Sequence, residues 1–226
     1  MTIKGQIGFS VKEDIFRTDK DILNRLKDMG TCAISDAMKG FNTMHHSIKS
    51  IDEQIKFAGN AITVRMRSAD NLMLHKAIQL AKEGDIIVVD TYGSESNSIL
   101  GEMMTTSALK NGVAGIVIDG GIRDILELKK MKAPIFATCI TPAVADRHGP
   151  GEINFPVSCG GVAVNPGDVI VGDANGVVVI NREIVEEVME LAEEKIEQDN
   201  KWFEEICKGR IIREDVDEDL RRSGIV

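Results

Sequence analysis

The segment at residues 101–124 constrains the fold most strongly, because it joins a helical pattern to a short apolar strand. The strand, residues 115–119, is rich in β-branched residues, as expected when both faces of a strand are buried in a sheet. The pair Gly120-Gly121 predicts a turn, after which Arg123 and Asp124 stand side by side. Ligand sites of α/β proteins lie at the carboxyl ends of such strands, so we expect a binding site here.

Strand and helix patterns alternate along the chain, which predicts an α/β fold. Two β-branched runs flank Asn175-Gly176, a dipeptide typical of hairpins, so the sheet is expected to be mixed. We expect one domain over residues 1–226, with N-terminal helices at 18–40, a core at 55–182, and a long C-terminal helix and tail at 183–226. The remaining predicted elements are strands at 57–66, 85–90 and 134–138 and helices at 71–82, 99–110 and 124–130.

Composition excludes several classes of function. The chain has 226 residues, a formal net charge of −9 and a pI near 5.0, so it lacks the basic face that nucleic-acid binding needs. No apolar run is long enough to span a membrane, and the N-terminus lacks the apolar core of a signal peptide. The four cysteines are widely spaced, which favours reduced thiols over disulfides or zinc. We therefore expect a cytoplasmic protein with no nucleic-acid or membrane partner.

Arg123 and Asp124 suit an anionic oxo-acid bound next to a metal ion. An arginine grips a carboxylate through two parallel hydrogen bonds, and an aspartate can hold a hard divalent cation. Each residue also has an ordinary structural role open to it. Asp124 and Glu127 have the spacing of a capping box, which position alone favours over metal ligation. Arg123 could pair with a surface acid, although a buried arginine would need an anionic partner.

Other candidates have comparable alternatives. Glu102 is either a first-turn acid that suits the helix dipole or a second carboxylate near the metal. The Ser- and Asn-rich stretch at 92–101 is either an anion cradle of exposed N–H groups or a plain loop. His75 lies on a partly apolar helix, where a packed histidine is more common than a ligand. Cys159 has no histidine partner that the sequence identifies, so we do not expect a nucleophile there.

The spacing of the acidic residue and the Arg-Asp pair resembles that of a known family. Glu102, twenty intervening residues and Arg123-Asp124 match the pattern of the RraA-like family. This family includes class II 4-hydroxy-4-methyl-2-oxoglutarate / 4-carboxy-4-hydroxy-2-oxoadipate aldolases, which are often labelled demethylmenaquinone methyltransferases. The resemblance covers roughly residues 31–208. Other segments similar to the family's are 34–37, 70–72 with His75, 84–90, and 164–168 with Asp173 and Gly176.

The resemblance implies a β/β/α sandwich like the phosphohistidine swivelling domain, assembled as homotrimers or homohexamers. It implies a small oxo-acid substrate, with Arg123 on the carboxylate and keto oxygen of its pyruvyl moiety. Mg²⁺ or Mn²⁺ would be held by Asp124, largely through retained waters, and Glu102 would position a metal-bound water. Characterised aldolases commonly have an aspartate, shorter by one methylene, where this chain has Glu102.

The remaining implied site residues are backbone donors and one acid. Backbone amides in the stretch 94–104 would complete the pyruvate site, and Asp199 would reach the metal from a neighbouring subunit. The amides concerned include those of Gly101, Glu102, Met103 and Met104.

The activity implied by the resemblance is that of a divalent-metal-dependent lyase. It would cleave a 4-hydroxy-2-oxo acid to pyruvate through a metal-stabilised enolate, and would also decarboxylate oxaloacetate. The alternative within the same family is a non-catalytic regulator of ribonuclease E that acts by protein interaction. These regulators tend to lack the first acid of the spaced motif, so Glu102 favours the enzyme. Methyl transfer finds no support, because the sequence has no glycine-rich S-adenosylmethionine loop.

Overall fold

A computed structural model describes residues 2–225; Met1 and Val226, which belong to the predicted domain, lie outside the described residues. The chain forms an α/β fold with a large mixed sheet, flanking helices and a separate hairpin of strands β9 and β10. The helices are α1 (Lys20–Met29), α2 (Thr31–Ala37), α3 (Leu72–Leu80), α4 (Glu102–Lys110), α5 (Ile125–Lys130), α6 (Val185–Cys207) and α7 (Glu214–Arg222). The strands are β1 (Ile3–Gln6), β2 (Phe9–Lys12), β3 (Lys49–Ser50), β4 (Phe57–Met66), β5 (Ile86–Leu100), β6 (Gly115–Ile122), β7 (Ile135–Ile140), β8 (Gly151–Ile153), β9 (Val157–Cys159), β10 (Val162–Val164), β11 (Val169–Asp173) and β12 (Gly176–Ile180).

The centre of the sheet is parallel and buried on both faces. Strands β4, β5, β6 and β7 are neighbours in that order and run in the same direction. In β5, Ile87 and Val89 belong to one apolar core cluster, whereas Ile86 and Val88 belong to another. A strand that is buried between two apolar cores has apolar residues at successive positions. This is why the first part of β5 was recognisable in the sequence. The carboxyl ends of these strands meet at one edge, where such sheets place ligand sites.

The long helix α6 packs against a third core cluster. Val188 and Ala192 of α6 are buried in this cluster with Leu26 of α1 and Ile34 of α2. The same cluster includes residues of β11 and β12, so the C-terminal helix packs on the hairpin as well as on the N-terminal helices. The expected mixed α/β fold and the long C-terminal helix are thus confirmed.

The start of α2 is held by a carboxylate that is distant in sequence. Asp173, the last residue of β11, accepts hydrogen bonds from the Thr31 N–H (2.8 Å) and the Thr31 hydroxyl (2.7 Å). Burial alone would raise the pKa of Asp173, but the hydrogen bonds from Thr31 and Asn175 outweigh it and hold the pKa below its ordinary value. The ionised carboxylate therefore stabilises the junction between the N-terminal helices and the sheet.

The prediction for residues 92–101 is wrong. This stretch was expected as either an anion cradle or a plain loop, both without strand structure, but β5 continues to Leu100 and pairs with β6 through register shifts. Helix α4 accordingly begins at Glu102 and not at residue 99. The pair Gly120-Gly121 lies inside β6 and not in a turn. A Cβ on Gly121 would stand 2.7 Å from the Asn97 carbonyl oxygen, so glycine lets the irregular end of β5 pass close by.

Other differences from the predicted elements are smaller. The β11–β12 hairpin turns at residues 174–175, one position before Asn175-Gly176, because Asp173 pairs with Gly176. The N-terminal hairpin of β1 and β2 was not predicted, and β2 joins the sheet through β8. The charged tail contains α7. Within residues 2–225, no helix is both long and apolar enough to cross a membrane.

Candidate active site

Arg123 and Asp124 follow directly on β6, with their backbone fixed by the neighbouring strand. The Arg123 N–H donates to the carbonyl of Leu100 at 3.0 Å. Asp124 has a left-handed backbone (φ 58°), an uncommon conformation that aspartate tolerates better than most residues. The Arg123 Nε lies 3.7 Å from the Asp124 Oδ2, and the two side chains are 43% and 39% exposed. Arg123 is therefore not the buried residue considered from the sequence, and both side chains are open to a ligand.

The capping box predicted at Asp124 does not form. Asp124 occupies the N-cap position of α5, but its side chain makes no capping hydrogen bond there. N-cap residues usually have extended backbones, whereas that of Asp124 is left-handed. Its Oδ2 instead accepts the N–H of Glu102, the first residue of α4, at 2.9 Å. The carboxylate thus caps a different helix and ties the Arg-Asp pair to the start of α4.

Gly101 makes this close approach possible. A Cβ at this position would stand 2.3 Å from the Asp124 Oδ2 and 3.0 Å from the Arg123 Cγ. The Gly101 backbone is extended (φ −149°), a conformation open to any residue, so the requirement for glycine comes from space alone. The glycine immediately before Glu102 is therefore part of the site.

The first turn of α4 offers two free backbone donors. The N–H groups of Met103 and Met104 have no acceptor among the described residues, as expected at a helix start. The helix dipole adds partial positive charge at the same place. A cleft of about 60 Å³ lies here, and Arg123, Asp124, Gly101, Met103 and Met104 all line it. The structure thus brings together most of the predicted site residues around a place for a small anion.

The opposite wall comes from residues that the sequence analysis did not single out as site residues. Asn71, Ser98 and Val144 also line the cleft. The carbonyl of Asp146 accepts the Asn71 N–H at 2.9 Å, and the carbonyl of Ala143 accepts the Ser98 N–H at 2.8 Å. These two hydrogen bonds hold the loop after β7 next to Asn71 and the end of β5. Asn71 belongs to the segment 70–72 that is similar to the family's, and this was an available signal for the wall.

Two predicted acidic residues are placed differently from Asp124. The side chain of Glu102 is exposed, and among the described residues its carboxylate has no recorded hydrogen bond or ion pair. Asp199 forms short hydrogen bonds with Lys195 (2.5 and 2.6 Å) and lies 3.7 Å from the Arg213 guanidinium. Asp199 does not line the cleft of its own chain.

His75 and Cys159 show no sign of catalytic use. The side chain of His75 is exposed on α3, but partial desolvation of the ring, followed by the nearby charge of Arg147, lowers its pKa, so the neutral form is favoured. Cys159 is fully buried. Burial, followed by the charges of Asp119 and Asp90, raises the Cys159 pKa well above its ordinary value. A thiol that cannot ionise is a poor nucleophile, so Cys159 is a core residue.

The donor atoms of the cleft suit a partly hydrated hard cation. Among the side chains that the structure describes, there is no group of three or more His, Cys, Asp or Glu residues that could enclose a metal. The half-exposed carboxylate of Asp124 remains, with Glu102 next to it on the first turn of α4. Mg²⁺ typically uses one or two protein carboxylates and keeps several waters, whereas structural zinc needs a closed set of nitrogen and sulfur ligands. The residues therefore fit magnesium or manganese and not an enclosed structural metal.

Together, the fold and the cleft define an α/β protein whose parallel sheet core carries, at its carboxyl edge, a cleft lined by Arg123 and Asp124. The family model described as "RraA-like: Aldolase/RraA" matches residues 31–179, and the chain belongs to this RraA-like family. A protein of Halalkalibacterium halodurans named "Putative 4-hydroxy-4-methyl-2-oxoglutarate aldolase" is 41% identical over 175 residues, which cover 77% of this chain and 83% of that protein.

Solved structures show the same fold. An uncharacterised protein from Pseudomonas syringae pv. tomato aligns with a TM-score of 0.79 at 26% identity, covering 87% of this chain and 93% of that chain. The RNA-processing inhibitor RraA from Thermus thermophilis aligns with a TM-score of 0.62 at 29% identity, covering 66% of this chain and 91% of that chain. The family thus contains proteins named as aldolases and a protein named as an inhibitor of RNA processing.

Proposed function

We propose that this protein is a divalent-metal-dependent carbon–carbon lyase that releases pyruvate from a short 4-hydroxy-2-oxo acid and also decarboxylates oxaloacetate. The observation that carries the proposal is the shared cleft of Arg123, Asp124 and the free N–H groups of Met103 and Met104. The aldolase name of the relative at 41% identity supports the same class of reaction.

Each of these groups has a role that its chemistry suits. The N–H groups of Met103 and Met104 would bind the carboxylate of the pyruvyl moiety. Arg123 would place its positive charge at the keto oxygen, where negative charge develops during the reaction. Asp124 keeps one carboxylate oxygen beyond the one bonded to Glu102, and this oxygen would hold the cation. Glu102, with no partner of its own among the described residues, would bind one of the cation's waters.

The two proposed reactions form the same product by the same electron movement. In aldol cleavage the C4 hydroxyl loses its proton to a base, the C3–C4 bond breaks, and C4 becomes a carbonyl carbon. The bonding pair remains on the pyruvyl fragment as an enolate, which takes up a proton at C3 to give pyruvate. In oxaloacetate the bond to the C4 carboxylate breaks instead, and CO₂ leaves. Bound Mg²⁺ or Mn²⁺ would supply Lewis acidity at the keto oxygen in both reactions.

Arg123 would stabilise the enolate without a covalent intermediate. A lysine Schiff base is the usual alternative for this chemistry, and no lysine is among the described residues that line the cleft. Electrostatic stabilisation by a positioned donor typically contributes about 10²–10³-fold in rate. We therefore expect Arg123→Ala to lower turnover by at least about 10²-fold without unfolding the protein, since the side chain is half-exposed.

The test is pyruvate release from oxaloacetate and from 4-hydroxy-4-methyl-2-oxoglutarate, coupled to lactate dehydrogenase, with Mg²⁺, with Mn²⁺ and with EDTA. We expect turnover that requires the metal and is lost in Arg123→Ala. The matched control is Arg25→Ala, which removes an exposed arginine paired with Glu193 outside the cleft. Unchanged turnover in Arg123→Ala would contradict the assigned role, and no turnover of either substrate by the folded wild type would favour a regulator like the Thermus thermophilis inhibitor.

We also propose that the protein acts as a homotrimer or homohexamer in which Asp199 reaches the cleft of a neighbouring subunit. Large apolar side chains near the cleft support an assembly, because Met103 and Val144, which line it, are 79% and 64% exposed. In such an assembly Asp199 would exchange its bond to Lys195 for a place near the cation. Light scattering of the purified protein tests this assembly, and a monomer would contradict it.

A further inference from the structure

Helix α4 carries three consecutive hydroxyl residues, Thr105, Thr106 and Ser107, and each hydroxyl bonds to the carbonyl oxygen four residues earlier. The distances are 2.8, 2.9 and 3.0 Å, and the acceptors are, in order, the carbonyls of Gly101, Glu102 and Met103. A carbonyl oxygen only accepts, so the hydroxyl is the donor in each pair. The sulfur of Met131, 3.5 Å from the Thr106 hydroxyl, is the weaker and more distant acceptor for its single proton.

The helix itself does not need these hydroxyls. Serine and threonine are weaker helix formers than alanine, and a hydroxyl bonded to the carbonyl four residues earlier slightly destabilises a helix. Thr106 and Ser107 are exposed, so burial does not require their bonds either. The hydroxyl residues of α2, Thr31 and Ser35, bond instead to Asp173 and Thr43, which lie outside their helix. The arrangement in α4 therefore calls for another explanation.

The bonded carbonyls belong to the same peptide units as the N–H donors of the cleft. The carbonyl of Glu102 shares its peptide unit with the Met103 N–H, and the carbonyl of Met103 shares its unit with the Met104 N–H. Resonance couples the two ends of a peptide unit, so a donor at the oxygen draws electron density from the N–H and makes it a stronger donor. The Thr106 hydroxyl therefore acts on the Met103 N–H, and the Ser107 hydroxyl acts on the Met104 N–H.

We propose that the hydroxyl groups of Thr106 and Ser107 strengthen the N–H groups of Met103 and Met104 as donors to the carboxylate of the oxo-acid substrate. This inference rests on the proposed function and adds two positioning residues to it. Neither residue is among those that line the cleft, so both act through the backbone of α4 and not by contact with the substrate.

The kinetic signature follows from the constant charge of the substrate carboxylate. This group takes no part in bond breaking, so its hydrogen bonds to the Met103 and Met104 N–H groups are equally strong in the bound substrate and in the transition state. An interaction of this kind contributes to substrate binding and not to kcat. Loss of the Thr106 or Ser107 hydroxyl should therefore raise KM by the same factor for every substrate with a pyruvyl carboxylate and leave kcat unchanged.

The experiment compares Thr106→Val, Ser107→Ala and the double variant with the wild type in the presence of Mg²⁺. Valine has nearly the shape and the helix propensity of threonine, and alanine is a stronger helix former than serine, so these exposed substitutions should leave the fold intact. Thr106→Ser and Ser107→Thr retain the hydroxyl and serve as conservative variants. Ser35→Ala is the matched control, since it makes the same change in a helix outside the cleft, where the hydroxyl pairs with Thr43.

KM and kcat are measured for oxaloacetate and for 4-hydroxy-4-methyl-2-oxoglutarate. We expect KM to rise by about twofold in each single variant and about fivefold in the double variant, because a second hydrogen bond strengthens its neighbour by about 10–30% and bonds to a charged group are the strong ones. The factor should be the same for both substrates, with kcat unchanged, and the conservative variants and Ser35→Ala should retain the wild-type KM. An unchanged KM in the double variant, or a loss confined to kcat, would overturn the inference.

Thermal denaturation separates this role from a structural one. If Ser107 only stabilised α4, Ser107→Ala would lower the melting temperature as well as the affinity for substrate. Under the inference the melting temperature stays the same or rises while KM rises, because alanine favours the helix more than serine does. A fall in both stability and affinity would overturn the inference.

The amide nitrogens of Met103 and Met104 report the polarisation without any substrate. The magnetic shielding of an amide nitrogen depends on the hydrogen bonding of the carbonyl in the same peptide unit. In protein labelled with ¹⁵N-methionine, the Met103 resonance should move in Thr106→Val and the Met104 resonance in Ser107→Ala, and both should stay near the wild-type positions in the conservative variants. Unmoved resonances would overturn the inference even in an active enzyme. A wild type that releases no pyruvate would instead overturn the proposed function, and with it the substrate carboxylate as the ligand of these N–H groups.

Discussion

Gly101→Ala should separate the function of this protein from its stability. The added Cβ would stand 2.3 Å from the Asp124 Oδ2, whereas ordinary contact begins at 3.4 Å. The carboxylate must therefore move by roughly 1 Å, and the Arg123 side chain must yield with it. The movement would break the 2.9 Å hydrogen bond between Asp124 and the Glu102 N–H. A misplacement of about 1 Å at a reacting centre costs on the order of 10²-fold in rate.

The cost in stability of Gly101→Ala should be small. Loss of a capping hydrogen bond costs about 0.5–2 kcal/mol. Replacing a glycine whose backbone conformation is open to other residues stabilises a protein by about 0.4–1 kcal/mol, because the unfolded chain then has fewer states to lose. Gly101 is such a glycine, since its φ of −149° is extended. The displaced atoms belong to half-exposed side chains that can swing outward. We expect the melting temperature to fall by no more than about 6 °C.

The assay compares pyruvate release and Mg²⁺ affinity, by calorimetry, in Gly101→Ala and in Gly121→Ala. At Gly121 the new Cβ would meet a backbone oxygen, that of Asn97, at 2.7 Å, and a strand backbone cannot swing away. Gly121→Ala should therefore lose about 1–3 kcal/mol of stability, more than Gly101→Ala loses. Retention of more than half of the wild-type turnover in Gly101→Ala would refute the reasoning that the contact between Asp124 and Glu102 organises the site.

Two further predictions concern the rest of the fold. Asp173→Ala should lower the free energy of unfolding by about 2–3 kcal/mol, because it leaves the Thr31 N–H without its charged acceptor. The Asp173 pKa is lowered in the folded state, so the stabilisation should be present above the ordinary pKa and lost as the pH falls through the folded value. Urea denaturation of the wild type and the variant at several pH values measures both effects. When the thiols of the folded protein are titrated, the exposed Cys32 and Cys207 should react first, and Cys159 should react only after denaturant is added. Rapid modification of Cys159 in the folded protein would contradict its assignment as a buried core residue.

Elements whose residues satisfy local rules were predictable from the sequence. The strand predicted at residues 57–66 is β4 as observed, because its apolar residues face buried cores on both sides. Asp19, the residue before the first helix, accepts the Asp21 N–H at 2.8 Å, as expected of an aspartate at the N-cap position. The long C-terminal helix was recognisable from its apolar spacing. In each case the pattern within one segment contains the information that determines the structure.

The end of β5 was not predictable for the opposite reason. Residues 92–100 are rich in serine and asparagine, a composition typical of loops, and their strand structure depends on partners that are remote in sequence. Ser94 and Ser98 pair with glycines of β6, and the Ser98 N–H donates to the carbonyl of Ala143. The wall of the cleft formed by Asn71 and Val144 depends on the same remote contacts. Tertiary pairing overrode local propensity here.

Asp124 caps α4, and under the proposed function it would also hold the cation. A carboxylate can accept about four hydrogen bonds or ligand contacts, so capping α4 through one oxygen leaves capacity for a cation. Because the same group holds the start of α4, cation binding at Asp124 would be physically linked to the orientation of the Met103 and Met104 N–H groups. Asp124→Ala would remove both roles at once, so its loss of activity could not identify a metal ligand. Asp124→Asn retains an acceptor for the Glu102 N–H while removing the charge, and this substitution distinguishes the ligand from the cap.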